Sequence, residues 1–158
     1  MTMTREHTYL VTTAWTGASN GPTRDYKTYS RTYRQAFGDK LELTGSADPA
    51  FMGDATLVNP EELLVAALSS CHMLSYLAWC ALEGIEVVAY EDCAEGLMTE
   101  QHGAGEFKRV TLHPRVTVAA GMDMDKALAL HKKAHEVCFI ARSVNFPVEH
   151  EAEIMPAD

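Results

Sequence analysis

The chain has 158 residues, with 13 Lys and Arg against 22 Asp and Glu and a formal net charge of -9 at pH 7. This length suits a single domain, residues 1–158, with a core of its own. The acidic balance argues against nucleic acid as a partner, because such binding neutralises phosphates, and against anionic membrane surfaces. The first residues lack the pattern of a secretory signal. We therefore expect a cytoplasmic protein whose four cysteines form no disulfide framework.

The first third of the chain predicts a small antiparallel sheet. Residues 7–16 are β-branched and aromatic, and the turn sequence GASNGP separates them from a similar segment, 25–37. A short third strand is expected at 41–44. Residues 45–58 contain Gly, Pro and Asp without a period, which is typical of a surface loop that covers a site.

Residues 59–84 predict one long helix. Asn59 is a suitable N-cap, Pro60 suits the first helical position, Glu62 completes a capping box, and Gly84 is suited to end the helix. Apolar residues lie on every side of this helix, which indicates burial all round. One small domain rarely surrounds such a helix, so we expect a partner subunit.

The same segment has the length of a membrane span over residues 63–82. However, Ser69, Ser70, His72 and Ser75 interrupt it, and no basic loop sets an orientation. These features favour a core helix of a protein that does not cross a membrane.

The second half of the chain predicts two strands, a helix and a last strand. Strands are expected at 85–98 and 108–120 around a turn at 100–107, a helix at 124–141 that starts near Asp123 or Asp125, and a strand at 145–153. The resulting order predicts an α+β fold in which antiparallel sheets pack on two long helices.

Four cysteines are candidates for chemistry. Cys80 follows Cys71 by nine residues, which places the two on opposite sides of one helix. For Cys80 and Cys93 we expect the role of small buried hydrophobic residues. Cys71 itself is open to three interpretations, namely core residue, metal ligand or nucleophile. A thiol in the middle of a helix needs a nearby cation or hydrogen-bond donor to become reactive.

A metal site is a further possibility on the second helix. His131, His135 and Cys138 occur at i, i+4 and i+7, on one helical face. Neither CxxC nor HExxH occurs in the chain, and a histidine on an amphipathic helix is usually solvated or part of the core. We therefore predict no metal site and no cofactor, and keep a metal-binding protein as an alternative.

The segment NPEELLVAALSSCHM, residues 59–73, resembles the signature of the osmotically inducible protein C and organic hydroperoxide resistance (OsmC/Ohr) family. In that family the reactive cysteine follows the glutamate of Asn-Pro-Glu by ten residues, as Cys71 follows Glu61 here. Cys138 matches the position of the family's second cysteine, although Phe139 stands where members often have proline. The resemblance implies an OsmC-like fold and an intertwined homodimer with its sites at the interface.

The resemblance also implies an activity, that of a thiol-dependent peroxidase which reduces organic hydroperoxides to alcohols. Cys71 would form a sulfenic acid and then a disulfide with Cys138, which a lipoyl-type or small-thiol dithiol would reduce. Glu61 would hold an arginine that activates Cys71. The apolar neighbours Leu68, Met73 and Leu74 would suit an alkyl hydroperoxide.

No arginine lies in the loop 45–58, so the activating arginine is sought in the first hairpin among Arg24, Arg31 and Arg34. On a strand of period 2, Arg31 would share a face with Tyr29 and Tyr33. Arg31 is therefore the predicted activating residue. The main alternative to an enzyme is a small-ligand-binding protein on the same fold.

Overall fold

Residues 4–158 are described in a computed structural model of the chain. They divide into two units, and the boundary lies between Glu61 and Glu62, in the first turn of a long helix. The prediction of one domain over 1–158 stays a prediction.

The first unit contains a three-stranded antiparallel sheet in the order β1-β2-β3. Its strands are β1 (Thr12–Trp15), β2 (Tyr33–Ala36) and β3 (Glu42–Gly45), accompanied by 3₁₀ turns at Gly17–Asn20 and Pro49–Phe51.

Two of these strands are shorter than predicted. The segment before β2 turns instead of extending, because the Asp25 carboxylate accepts a hydrogen bond from the Lys27 N–H at 2.7 Å and the Asp25 carbonyl accepts from the N–H groups of Thr28 and Tyr29. Such Asx turns compete with extended backbone. Arg31 therefore lies outside the strand on which it was predicted.

The second unit contains most of two helices and six strands. The helices are α1 (Pro60–Leu82) and α2 (Met124–Val137). The strands are β4 (Val87–Asp92), β5 (Glu95–Gln101), β6 (Ala104–Leu112), β7 (Pro114–Val118), β8 (Val148–His150) and β9 (Glu153–Pro156). They form two sheets, β4-β7-β9 and β5-β6-β8.

The predicted helix boundaries are close to those observed. Gly84 has φ of +74°, the left-handed conformation that ends a helix at low cost only with glycine. Asp123 is the N-cap of α2, and its carboxylate accepts a hydrogen bond from the Lys126 N–H at 2.9 Å. The C-cap of α2 is Cys138, so this helix ends before the predicted 141.

The predicted long strands are each divided in two. The β4–β5 segment breaks at residues 93–94 and the β6–β7 segment at His113, where Pro114 has no N–H to donate. The His113 N–H donates instead to the Asp92 carboxylate at 2.7 Å. The connecting turn is also tighter than predicted, since β5 and β6 are joined by His102 and Gly103, both at positive φ.

The prediction of purely antiparallel sheets is wrong. The last segment forms two strands, and β8 pairs parallel to β6 while β9 pairs parallel to β7. The sequence pattern of a strand carries no information on its direction relative to a partner that is remote in the chain. The α+β class itself is observed.

Helix α1 has a buried stripe and an exposed stripe. Leu68, His72, Tyr76 and Cys80 are buried at intervals of four residues. Ala66, Ser70, Leu74 and Ala78 lie two positions away on the other side and are exposed. Burial all round is therefore not found within one chain. By length and composition α1 could cross a membrane, and 22% of its most apolar 18-residue window is buried; the core helix of a soluble protein meets the same criterion.

Two hydrophobic clusters lie along the buried stripe. One contains Tyr76 and Cys80 with Val116 and Leu130. The other contains Leu68 with Val110 and Leu112. His72 occupies the position of the stripe between the two clusters.

Candidate active site

Cys71 and Cys138, here called the thiol pair, meet at the junction of α1 and the end of α2. Cys71 is half-buried, whereas Cys138 is 1% exposed. The two sulfurs are joined by a hydrogen bond. The tertiary structure thus brings together two cysteines that are 67 positions apart in the sequence.

The surroundings of Cys138 keep its thiol protonated. Burial, together with the hydrogen bond to Cys71, raises the pKa of Cys138 to about 11. Backbone hydrogen bonds from Ala141 and Ile140 act in the opposite direction.

The local backbone explains how Cys138 comes to this position. Cys138 has extended ψ at the C-cap, where α2 stops. A short 3₁₀ helix, Ala141–Ser143, follows it, and the Arg142 N–H donates to the Cys138 carbonyl at 3.0 Å. The chain thus folds back around the cysteine, and its N–H groups lie beside the sulfur.

The other two cysteines take no part in this pair. Cys80 is buried in the cluster around Tyr76, and burial raises the pKa of its thiol. Cys93 is exposed in the connection between β4 and β5, so the prediction that it is a buried strand residue is wrong. Residues 85–98 were predicted as one strand, and that prediction did not place the break at residues 93–94.

The predicted neighbours of Cys71 differ in their exposure. Leu68 is fully buried in the core and cannot contact a substrate, contrary to the prediction. Leu74 is 64% exposed and Met73 is half-buried. Phe139, next to Cys138, is 76% exposed. Apolar side chains near both cysteines therefore remain open to solvent in a single chain.

The three candidate arginines lie in the first unit. The Arg31 guanidinium lies 3.7 Å from the ring centroid of Tyr29 and 5.0 Å from that of Tyr26. It also donates to the carbonyl groups of both tyrosines. Tyr29 was predicted beside Arg31, and a turn, not a strand face, brings it there together with Tyr26. Arg34 pairs with Glu42 at 3.2 Å, and Arg24 is exposed.

Glu61 lies at the start of α1. Its Oε2 atom is buried and has no hydrogen-bond partner among residues 4–158. Ten helical residues rise by about 15 Å, so Glu61 and Cys71 of one helix are too far apart to touch. No described residue forms an ion pair with Glu61.

A group of histidines next to the thiol pair was missed as a group by the sequence analysis. His72 Nε2 and His131 Nδ1 are 3.0 Å apart, and both side chains are buried. His150 of β8 lies with its ring centroid 5.4 Å from that of His72, and His135 lies 6.0 Å from His150. The only signal in the sequence was that His72 directly follows Cys71 and that His131 shares a helical face with Cys138.

The metal-binding alternative concerned His131, His135 and Cys138. Among residues 4–158 no three His, Cys, Asp or Glu side chains are arranged to hold a metal ion. His131 contacts His72 of the other helix and does not combine with His135 and Cys138 into one ligand set.

Comparisons with known proteins agree with the arrangement of these elements. The family model "OsmC-like protein" matches residues 53–153. An OsmC-like protein of unknown function from Vibrio cholerae is 30% identical, with a TM-score of 0.84 over 94% of this chain and 100% of that one. An organic hydroperoxide resistance protein from Elizabethkingia anophelis shares the fold at 19% identity, with a TM-score of 0.69 over 98% and 100% of the two chains.

A curated relative covers a smaller part of the chain. The uncharacterized protein YmaD of Bacillus subtilis is 26% identical over 98 residues, which are 60% of this chain and 65% of YmaD. The match thus spans less than two thirds of that relative. The family model extends over both the long helix with Cys71 and the end of α2 with Cys138, and the chain belongs to the OsmC-like protein family.

Proposed function

We propose that the protein is a thiol-dependent peroxidase that reduces organic hydroperoxides to alcohols. The observation that supports this proposal best is the hydrogen-bonded thiol pair, in which a half-buried Cys71 lies against a buried, protonated Cys138. The name of the Elizabethkingia relative, an organic hydroperoxide resistance protein, points to the same substrate class.

The reaction requires two steps. The Cys71 thiolate attacks the terminal oxygen of the hydroperoxide, the O–O bond breaks, and the leaving alkoxide takes up a proton to become the alcohol, which leaves Cys71 as sulfenic acid. The Cys138 thiol then attacks the Cys71 sulfur, releases water and forms the Cys71–Cys138 disulfide. A dithiol, lipoyl-type or a small thiol compound, restores both thiols by exchange.

The different exposures of the two cysteines fit these roles. A nucleophile must meet the substrate, and Cys71 is the more accessible thiol of the pair. Burial protects Cys138 and raises the pKa of its thiol, so it stays protonated until the sulfenic acid forms. In the resolving step its proton leaves with the sulfenic hydroxyl as water while the Cys138 sulfur bonds to that of Cys71.

A homodimer is part of the proposal. Leu74, Leu82 and Phe139 are each more than half exposed, an apolar surface that a second copy would cover. The unpartnered Glu61 Oε2 also requires a cationic or donor group that residues 4–158 of one chain do not provide. Glu61 and Arg31 are proposed to serve Cys71 together, with one of them contributed by the partner subunit. We expect this dimer in the cytoplasm.

The test is the consumption of tert-butyl hydroperoxide in the presence of dihydrolipoamide. Cys71→Ser is expected to abolish turnover, whereas Cys93→Ser, which removes an exposed thiol outside the pair, is expected to retain it. Wild-type turnover no faster than that of Cys71→Ser would overturn the peroxidase and favour a ligand-binding protein. Peroxide-treated protein that contains only over-oxidised Cys71 and no Cys71–Cys138 disulfide would exclude Cys138 from the resolving role.

The role of Arg31 is tested with a matched pair of variants. Arg31→Met should lower kcat/KM by at least about tenfold if a guanidinium supports the Cys71 thiolate. Arg34→Met removes the same charge from an exposed ion pair and should have little effect. Equal effects of the two variants would remove Arg31 from the site.

A further inference from the structure

The imidazole pair, His72 and His131, joins the same two helices as the thiol pair. Its nitrogen atoms are 3.0 Å apart, the ring planes differ by 7° and the side chains are 1% and 0% exposed. Tyr76 stacks on His131 with a centroid distance of 3.8 Å. The pair therefore fills a polar gap between the two hydrophobic clusters.

The available hydrogen-bond partners limit the number of protons that the two rings can hold. Two neutral imidazoles carry two protons, of which one lies in the shared hydrogen bond. The outer atoms, His72 Nδ1 and His131 Nε2, are buried and have no partner among residues 4–158. An additional proton would place a positive charge in the core with no acceptor for the new N–H group.

The groups around the pair do not offset such a charge. Two further imidazoles lie beside the pair, His150 of β8 and His135 of α2. Tyr76 of α1 and, beyond it, Tyr90 of β4 are the phenols that face the pair. Within residues 4–158 no carboxylate forms a hydrogen bond or ion pair with either ring.

The two acidic residues that flank His150 in the chain have other partners or surroundings. Glu149 lines an open polar pocket with Arg109 and Thr111, and Glu151 pairs with His113 at 3.4 Å. Burial and the neighbouring imidazoles consequently hold the pKa of His72 at about 4 and that of His131 at about 3.

The imidazole pair and the thiol pair are carried by the same two helices, at nearby positions. His72 directly follows Cys71 on α1, and His131 precedes Cys138 by two helical turns on α2. Any separation of the two rings thus moves the segments that hold the two sulfurs in contact.

We propose that the imidazole pair is a pH-sensitive switch for the thiol pair: when the rings are neutral, α1 and α2 hold Cys138 buried against Cys71, and when they are protonated, the contact opens and exposes Cys138. The opening is local: Tyr76 is the member of its cluster that stacks on His131, and the apolar side chains of Val116, Val118 and Ile85 pack around Cys80 in the same cluster. The switch does not depend on the peroxidase activity.

The experiment measures thiol accessibility between pH 7.5 and 3.5, a range that reaches below the pKa of His72. Reduced protein is labelled with 4,4′-dithiodipyridine, and the rate at each cysteine is read by peptide mass spectrometry. The exposed Cys93 corrects for the effect of pH on the reagent, and the buried Cys80 reports unfolding of the whole unit. The Cys138-to-Cys93 rate ratio is expected to rise by at least about tenfold at the acidic end, as for local opening of a protected site, while Cys80 stays protected.

Two variants separate the switch from other effects of acid. His72→Leu/His131→Leu removes both titrating rings and should keep Cys138 protected at pH 3.5. His102→Asn removes an exposed imidazole at a position of positive φ that asparagine tolerates, and it should behave as wild type.

A constant ratio in the wild type, or an undiminished rise in the double variant, overturns the proposal. Labelling of Cys80 in parallel with Cys138 does so too, because it indicates global unfolding. Should the double variant fail to fold, NMR titration of the wild-type imidazoles decides: His72 and His131 must take up protons over the pH range in which Cys138 becomes reactive, and titration at any other pH contradicts the switch.

Discussion

The two stripes of helix α1 each combine apolar and polar residues but have opposite environments. The buried stripe contains a leucine, a histidine, a tyrosine and a cysteine, and the exposed stripe contains a leucine, a serine and two alanines. A polar histidine is buried while Leu74 is 64% exposed. Hydrophobicity alone therefore does not decide which side of this helix faces the core. The partners available on α2 and the sheets make that choice, and the exposed stripe is the surface proposed for a second copy.

The largest expected effect is on the buried stripe. Leu68→Ala removes a fully buried side chain from the cluster with Val110 and Leu112 and should lower the free energy of unfolding by about 2–5 kcal/mol. Urea denaturation at several protein concentrations measures it. The loss should not depend on protein concentration, and a loss below 1 kcal/mol would contradict the core assignment.

The next effect concerns the histidine of the same stripe and its partner. The folded-state pKa values of His72 and His131 are depressed to about 4 and about 3, below the ordinary 6.5. Their contribution to stability is therefore complete above pH 6.5 and is lost as the pH falls towards these values, by up to about 1.4 kcal/mol per pH unit for each ring. Urea denaturation between pH 7 and 5.5 checks the slope, which His102→Asn should leave unchanged.

A substitution in the exposed stripe should weaken dimerisation and not the folding of the single chain. Leu74→Asp places a charge on the apolar surface proposed for the homodimer and should weaken dimerisation by at least tenfold, about 1.4 kcal/mol. Sedimentation velocity over a concentration series measures the change. Ala66→Asp, on the same stripe, serves as a second probe, and a wild-type protein that is monomeric at every concentration removes the proposed dimer.

The smallest effect on stability is expected at Gly84, where helix α1 ends. Gly84 has φ of +74°, and a Cβ added to it would meet no other atom. The strain of Gly84→Ala therefore comes from the backbone conformation alone. The substitution should cost about 1 kcal/mol of stability, and Gly84→Asn should cost less, since asparagine tolerates this conformation better. An alanine variant as stable as the wild type would contradict the helix-stop role of Gly84.

Local signals predicted the long helices well. The Asn59-Pro60 start and Gly84 set the limits of α1, and Asp123 set the start of α2, because caps and stops act within one turn of the chain. Strand limits were predicted less well, since the breaks at Cys93 and His113 depend on contacts with other strands such as the one between Asp92 and the His113 N–H. The same reason applies to the parallel pairing of β8 and β9.

The candidate site was also predicted only in part. The spacing from Glu61 to Cys71 and the cysteine near the end of the second helix pointed to the thiol pair through the family resemblance. The contact between His72 and His131 spans 59 positions and has no sequence pattern of its own. The place of the activating arginine stays a prediction, because Arg31 belongs to the unit of residues 4–61 and Cys71 to the other.

By itself, then, the sequence determined the helices, the α+β class and the residue types available for thiol chemistry, since these depend on local propensity, capping and spacing. The tertiary structure alone decided which cysteine is buried, which histidines meet and which stripe of α1 is left exposed. These outcomes depend on the packing of segments remote in the chain, where burial changes the pKa of a thiol or an imidazole and a neighbour supplies or withholds a hydrogen bond.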